Sequence, residues 1–221
     1  MISIRSLFPI LSDENLSSAT DSVIFLGVRP SNDIYDQIKT ETGAEKIFRL
    51  SVFLTHKEKL LFTAPAGPDM NSGLEDLEFC VKAGMPLIQN LGIQPEIGLI
   101  SGGRSGDLGR NETVDQTILG AEALEKKLNA EGISAKHYTI LIEEAVKEAN
   151  FLILPDSLSG EMILKTVAGV GEGVEIGNIL LLKPPAGKTI SGDKIYIEQL
   201  TKKADLANAE ILKEALAASF K

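Results

Sequence analysis

The residue pattern predicts an α/β fold: three layers, α/β/α, with a mostly parallel sheet covered by helices on both faces. Three observations carry this expectation. Short apolar runs alternate regularly with amphipathic helical stretches from residue 96 onward, and such alternation needs crossover connections. Runs such as Phe151-Leu152-Ile153-Leu154 are apolar on both strand faces, as a strand buried under two helical layers must be. Two of these runs stop at small-residue turns that open helices, the usual edge for a ligand in an open sheet.

The first twenty residues carry little pattern and are expected to form a loose or swapped arm. Val23 to Val28 is a buried strand, and Pro30-Ser31-Asn32 caps a short helix with Ile34, Tyr35 and Ile38 on one side, ended by Gly43. Phe48 to Thr55 and Leu60 to Ala64, joined by His56-Lys57-Glu58-Lys59, form an antiparallel hairpin. Leu74, Leu77, Val81, Met85 and Ile88 give a core stripe to a helix from Gly73 to Leu91, with a kink or break at Pro86. Glu96 to Ser101 is a strand, and Asn111 caps a helix over Glu112 to Ala130. Gly132 to Tyr138 is a weaker strand, and Thr139 caps a helix through Ala149. Phe151 to Leu154 is a strand, and Ser159 or Gly160 opens a helix through Val167. Asn178 to Leu182 is a strand, and Asp205 to Phe220 a terminal helix. The chain, 1–221, is expected to be one compact unit, divisible into a reduced lobe 1–95 carrying the hairpin and an α/β lobe 96–221.

Composition narrows the function. A formal charge of −9 over 221 residues argues against nucleic acid, whose binding needs a basic face to displace counterions. No apolar run approaches the ~20 residues that span a bilayer, and residues 1–9 are too short in apolar core for a secretory signal. A lone cysteine, Cys80, sits in an apolar helical stretch, which points to a buried inert thiol and a cytoplasmic setting. His56 and His137 lack partners at metal-ligand spacing, so no metal site is expected.

The chemistry concentrates in Ser101-Gly102-Gly103-Arg104-Ser105-Gly106-Asp107-Leu108-Gly109-Arg110-Asn111. Glycines let backbone N–H groups approach an oxyanion, and the helix that follows adds its positive dipole end. Arg104 and Arg110 could grip an anion through paired donors, or pair with surface carboxylates; Asp107 could bind a metal or orient an arginine. A second junction, Leu154-Pro155-Asp156-Ser157-Leu158-Ser159-Gly160, would leave the same sheet edge. Asp156 is there a candidate polar contact or general base and Ser159 a phosphate donor, while helix capping is the competing role. Gly187-Lys188-Thr189 lacks the first glycine of a P-loop, and Gly169-Val170-Gly171-Glu172-Gly173 follows a helix, so neither is a nucleotide loop. No G-x-S-x-G elbow is present. Acid–base work would fall to carboxylates or to a lysine such as Lys165 or Lys188.

Three segments together resemble the phosphate acetyltransferase/butyryltransferase superfamily: Leu91 to Ser101, Asn150 to Asp156 with Ser159-Gly160, and the strand near Leu180 leading to Lys183-Pro184. More narrowly, Ser101-Gly102-Gly103-Arg104 through Asp107-Leu108-Gly109-Arg110, with Val114-Asp115, resembles the MtxX-type methanogenesis marker proteins, which carry the label of methyltransferase subunits. The resemblance spans about residues 50 to 200. It implies an isopropylmalate-dehydrogenase-like fold with a cleft between lobes, where the superfamily's enzymes hold coenzyme A and an acyl phosphate without a metal. It aligns Lys188-Thr189-Ile190-Ser191-Gly192-Asp193 with the acyltransferases' Asn-Asp-Leu-Ser-Arg-Gly motif. Ser191 keeps the serine and the arginine is absent. The chain also falls short of a full acyltransferase in its amino-terminal part.

The functional expectation is a methanogenesis-associated, methyltransferase-like transferase. It would bind a phosphate- or coenzyme A-type anionic small molecule across Ser101, Gly102, Gly103, Arg104, Asp107, Arg110, Asp156, Ser159, Gly160 and Ser191. The alternatives are a phosphate acyltransferase and a non-catalytic ligand-binding regulator or partner. A homodimer is expected, covering the sheet where the first lobe is reduced.

Overall fold

The computed structural model describes residues 22–69, 73–200 and 206–218. The arm expected over residues 1–20 lies outside these described residues. One sheet holds the strands β1 (Val23–Val28), β2 (Lys46–Leu54), β3 (Leu60–Ala66), β4 (Ile97–Leu99), β5 (Ala135–His137), β6 (Phe151–Ile153), β7 (Val174–Lys183) and β8 (Ile195–Gln199). Their order across the sheet is β1-β8-β7-β2-β3-β6-β4-β5. Four of the seven described pairings are parallel, including the run β3-β6-β4-β5. The antiparallel ones surround β2 and β7. The hairpin β2–β3 therefore lies mid-sheet, between strands from later in the chain.

Alternation along β2 shows how the two faces are covered. Phe48, Leu50 and Val52 point to one core, shared with α2 (Leu74–Asn90), α3 (Glu112–Ala130) and α6 (Leu206–Ala218). Ile47 and Phe53 point to the other side, where α1 (Asn32–Thr42), α4 (Ile142–Glu148) and α5 (Ser157–Gly169) pack. This is the α/β/α sandwich that the sequence predicts. Cys80, on the core face of α2, is fully buried, and burial pushes its thiol well above the ordinary range.

Several boundaries follow the sequence signals. Asn111 caps α3, its side chain accepting from the Val114 N–H, and Gly43 ends α1 at φ 75°. Others differ for physical reasons. Helix α2 continues through Pro86, which is exposed, so the carbonyl left without a donor one turn earlier can be met by water. Thr139 does not cap α4; it adopts φ 57° in a turn and the helix starts at Ile142. Strand β8 escapes the hydrophobic pattern because Glu198 and Gln199 are buried polar residues within it.

Glu198 belongs to a charge network on the α1/α5 face. Arg49, buried on β2, donates through Nε to Glu198 Oε1, through an Nη to Glu161 on α5 (2.5 Å), and through the other to the Tyr35 hydroxyl on α1 (2.9 Å). Tyr35 donates in turn to Glu198 Oε2 at 2.6 Å. Burial and then the Glu198 charge push the Tyr35 phenol far up. Every guanidinium nitrogen is engaged, so the network ties two helices to two strands.

Helix α5 is also held by a close approach. A Cβ on Gly160 would stand 2.0 Å from the Pro65 carbonyl oxygen and 3.0 Å from the Ala66 Cα, both backbone atoms of β3. The absent side chain is a packing requirement. Gly160→Ala should therefore destabilise the fold by about 3 kcal/mol or more, as forced overpacking against backbone does. Urea unfolding reads this directly; a midpoint equal to that of the unaltered chain would refute it.

Candidate functional site

Strands β4 and β6 are adjacent and parallel, with Ile97 beside Phe151 and Leu99 beside Ile153. The two small-residue loops therefore leave the same edge of the sheet, as expected. Strand β2 runs the other way, so its first residue, Lys46, stands on that edge too, directly opposite Lys183 at the end of β7. A cleft of about 810 Å³ opens here, a size ordinary for a small-molecule site. Its walls are the first turn of α2, the exposed side of α3 at Thr113, Thr117 and Gly120, and the loop ends at Ile100 and Asp156.

The cleft's charge comes from a cluster that sequence reasoning missed. Asp76, the third residue of α2 and buried, accepts from Lys46 Nζ at 2.8 Å through Oδ2 and from Lys183 Nζ through Oδ1. The Gly73 N–H adds a third donor at 2.9 Å, closing the first turn of the helix. Burial alone would raise the Asp76 carboxyl, but the bonds from Lys183, Lys46 and Gly73 outweigh it and hold the group below the usual carboxylate range. Asp76 and Lys46 both line the cleft. The one local signal in the sequence is the spacing Gly73-x-x-Asp76 at a helix start; the lysines come together only through the β2–β7 register.

The residues singled out by sequence are placed as follows. Ser101 is buried; its hydroxyl donates to the Gly103 carbonyl (2.9 Å) and also meets His137 Nε2 at 2.9 Å. Burial keeps the His137 imidazole below its ordinary pKa, Glu125 and Glu122 opposing in part. The Gly102 N–H donates to Thr117 Oγ1 on α3 at 2.8 Å, and Gly103 packs against Val114 so closely that a Cβ would meet it at 2.7 Å.

Beyond this point the loop turns back on itself. Asp107 accepts from the Arg104 N–H at 2.9 Å and from Arg110 at 2.5 Å, and Asp115 accepts from the Gly109 N–H at 2.9 Å. Those contacts, the Arg104 N–H first, hold the Asp107 carboxyl below its ordinary range. The Arg110 side chain is 73% exposed, and neither arginine is among the described residues lining the cleft. Asp156 does line it, yet its Oδ1 accepts the Ser159 N–H at 2.7 Å and so caps α5. Gly160 packs on β3. Ser191, exposed in the β7–β8 connection, donates its N–H to the Thr42 carbonyl at 2.9 Å, apart from the cleft. Of the residues singled out, Asp156 lines the cleft, beside Ile100 just before the glycine loop, and the others, Arg104, Arg110 and Ser191 included, are not among its described lining residues. Among the described residues no group of His, Cys, Asp and Glu is arranged to hold a metal ion, and no helix is long and apolar enough to cross a membrane.

Comparison with known proteins bears on the whole constellation. No protein-family model matches the sequence. A protein of Methanosarcina barkeri named "Putative methyltransferase mtx subunit X" is 38% identical over 172 residues, 78% of this chain and 63% of that one. Its namesake in Methanosarcina mazei is 39% identical over 173 residues, 78% and 61% of the two chains. Over those spans this chain is similar in sequence to the mtx subunit X proteins. It spans about three-fifths of the length of these relatives. An uncharacterized methyltransferase of Methanocaldococcus jannaschii is 27% identical over 179 residues, 78% and 72% of the two chains. Among solved structures, a branched-chain phosphotransacylase from Enterococcus faecalis matches with TM-score 0.65 at 13% identity, over 95% of this chain and 87% of that one. A phosphotransacetylase from Streptococcus pyogenes matches with TM-score 0.64 at 16% identity, over 90% and 62%. At those identities the likeness is one of fold, and the fold is that of the phosphotransacylases.

The Asp76 cluster has a pH signature. Because its folded pKa is depressed, its stabilisation is present above the unfolded carboxyl's ordinary pKa of about 4 and is lost as pH falls through the lowered folded value. Asp76→Asn should cost about 3 kcal/mol at pH 7, as removing one partner of a buried ion cluster does, and the difference from the unaltered chain should shrink at pH 3. Urea unfolding at the two pH values checks this; an equal difference at both would refute it.

Proposed function

We propose that this protein is a transferase-type protein that binds a phosphate- or coenzyme A-type ligand in the cleft at the sheet edge. The observation that carries this reading is a cleft of about 810 Å³ at the carboxyl ends of adjacent parallel strands, with a lysine on its wall. That is where an open α/β sheet takes its ligands, and Lys46 supplies a cation there beside the Asp76 and Asp156 carboxylates. The mtx relatives are named as methyltransferase subunits and the fold neighbours as phosphotransacylases, so group transfer is the shared theme. A place in methanogenesis and in the cytoplasm belongs to the same proposal. So does a contribution to binding from the loop Ser101–Arg110, from Ser159 and from Ser191 once a ligand extends beyond the cleft.

A non-catalytic ligand-binding regulator is the second reading, and a specific observation favours it. Both carboxylates in the cleft are engaged, Asp76 by two lysines and Asp156 by a backbone N–H, which leaves little for acid–base work. The stretch around Ser191 also carries no arginine.

Thermal unfolding with phosphate, acetyl phosphate, coenzyme A or S-adenosylmethionine tests the proposal. A hundredfold excess over Kd should stabilise by about 2.7 kcal/mol, raising Tm by roughly 5–10 °C for a chain of this size. Stabilisation by coenzyme A with consumption of acetyl phosphate supports the transferase, and stabilisation without turnover supports the regulator. No shift with any anion would overturn both.

A homodimer is the associated expectation. Met162 on α5 and Val170 just beyond its end are 62% and 81% exposed, apolar surface that a second copy would cover. Sedimentation at micromolar concentration should show the dimer, and a stable monomer there would refute it.

A further inference from the structure

We infer that the sheet holds one buried water on its α1/α5 face, bonded to Ser51 of β2, Thr63 of β3 and Asn178 of β7. The pairing register brings the three together. Ser51 lies directly opposite Thr63 on one side and opposite Asn178 on the other, so all three side chains leave the same face, with neighbouring Cβ atoms roughly 5 Å apart. Asn178 is in turn opposite Glu198, whose carboxylate meets Tyr35 and Arg49 on that face. A polar row therefore crosses four strands inside the core. Phe53 and Leu61, each two residues further along this face, pack with Leu164 of α5. Beneath that helix Ser51, Thr63 and Asn178 are all 0% exposed.

The chemistry of the three groups identifies the guest. Asn178 Nδ2 donates to Glu175 Oε1 at 2.6 Å and, more loosely, to the Glu198 carbonyl at 3.5 Å. Those contacts fix the amide and turn its oxygen away from both acceptors. Asn178 Oδ1, Ser51 Oγ and Thr63 Oγ1 are buried atoms with no hydrogen-bond partner in the protein. Leaving such groups unbonded costs free energy, and a buried water making about three hydrogen bonds is the usual remedy. The amide oxygen only accepts, whereas each hydroxyl has a proton to place. A cation takes no proton from a hydroxyl, and it would stand near the Arg49 guanidinium, two residues along β2 on the same face. An anion gives no proton to Asn178. Water donates to Asn178 Oδ1 and accepts from both hydroxyls. Ser51 and Asn178 belong to the β2–β7 pairing that also joins Lys46 to Lys183, so this water braces the strands that carry those lysines.

A high-resolution crystal structure of the full chain tests this. An ordered peak within about 3 Å of all three oxygens is expected, and no peak there overturns the inference. A rubidium peak at that position, in crystals soaked in rubidium chloride, would make it a cation site and overturn the inference as well. Thr63→Val keeps the side chain's shape and removes its hydroxyl, so urea unfolding reads the energetics. With the water bonded, the midpoint should fall by roughly 0.5 M, the loss of one buried hydrogen bond set against the denaturant slope of a chain this long. If the Thr63 oxygen has no partner, the substitution removes an orphaned polar atom instead. The midpoint then stays or rises, and the inference fails. None of the three residues is among the described lining of the cleft, so neither outcome bears on the ligand reading above.

Discussion

The shared carboxylate of Asp76 is the contact on which the architecture of the ligand edge depends. Strand β2 runs against the direction of β3, β6, β4 and β5, so its amino end lies among their carboxyl ends. Lys46 and Lys183 are cross-strand neighbours there, and two like charges in that position would repel. Asp76 removes the repulsion and at the same time anchors the first turn of α2 over the gap between β2 and β7. A carboxylate in the first turn is also favoured by the helix dipole. One residue thus fixes a sheet register, a helix start and the charge of a cleft wall.

The opposite face carries a second ionic cluster of different character. Arg49 spends its donors on Glu198, Glu161 and Tyr35, and the Arg49 side chain is nearly buried. Desolvating such a cluster is costly, and its reward is conformational: removing one member strands another in a dry interior. It lines no described cleft, and its geometry is closed. The Asp76 cluster differs because one of its cations stands on an open wall. That contrast, not the presence of buried charge, is why the first cluster enters the proposed site and the second is a clamp between α1, α5 and the sheet.

Much of the fold was legible because its cues are local. The strand at Val23–Val28, the cap at Asn111 and the hairpin around residues 55–59 each follow from neighbouring residues, and the structure keeps them, although Val23–Val28 is an edge strand with Val23 alone buried rather than the buried run that its apolar sequence predicts. Strand β8 was not legible, since Glu198 and Gln199 are polar residues whose burial depends on partners from distant segments. The site divides in the same way. The glycine- and arginine-rich loop announces itself in the sequence, but Asp107 and Asp115 turn its donors inward. Lys46 and Lys183 look like ordinary strand ends, and only the antiparallel register joins them. Asp156, read as either a cap or a polar contact, proves to be a cap that also faces the cleft.

Charge on two length scales then shapes what can reach the cleft. At physiological salt a charge is felt over about 8 Å, so a compact anion seated in the cleft senses chiefly Lys46 and its immediate neighbours. A polyanion touches much more of the surface, where carboxylates outnumber cations by the margin that gives the formal charge of −9. Repulsion over that larger footprint opposes nucleic acid or an acidic protein face without opposing a small phosphate ester. The acidic surface thus opposes a large anion more strongly than a small one, and this is the charge setting that the proposed ligand would meet at the edge of the sheet.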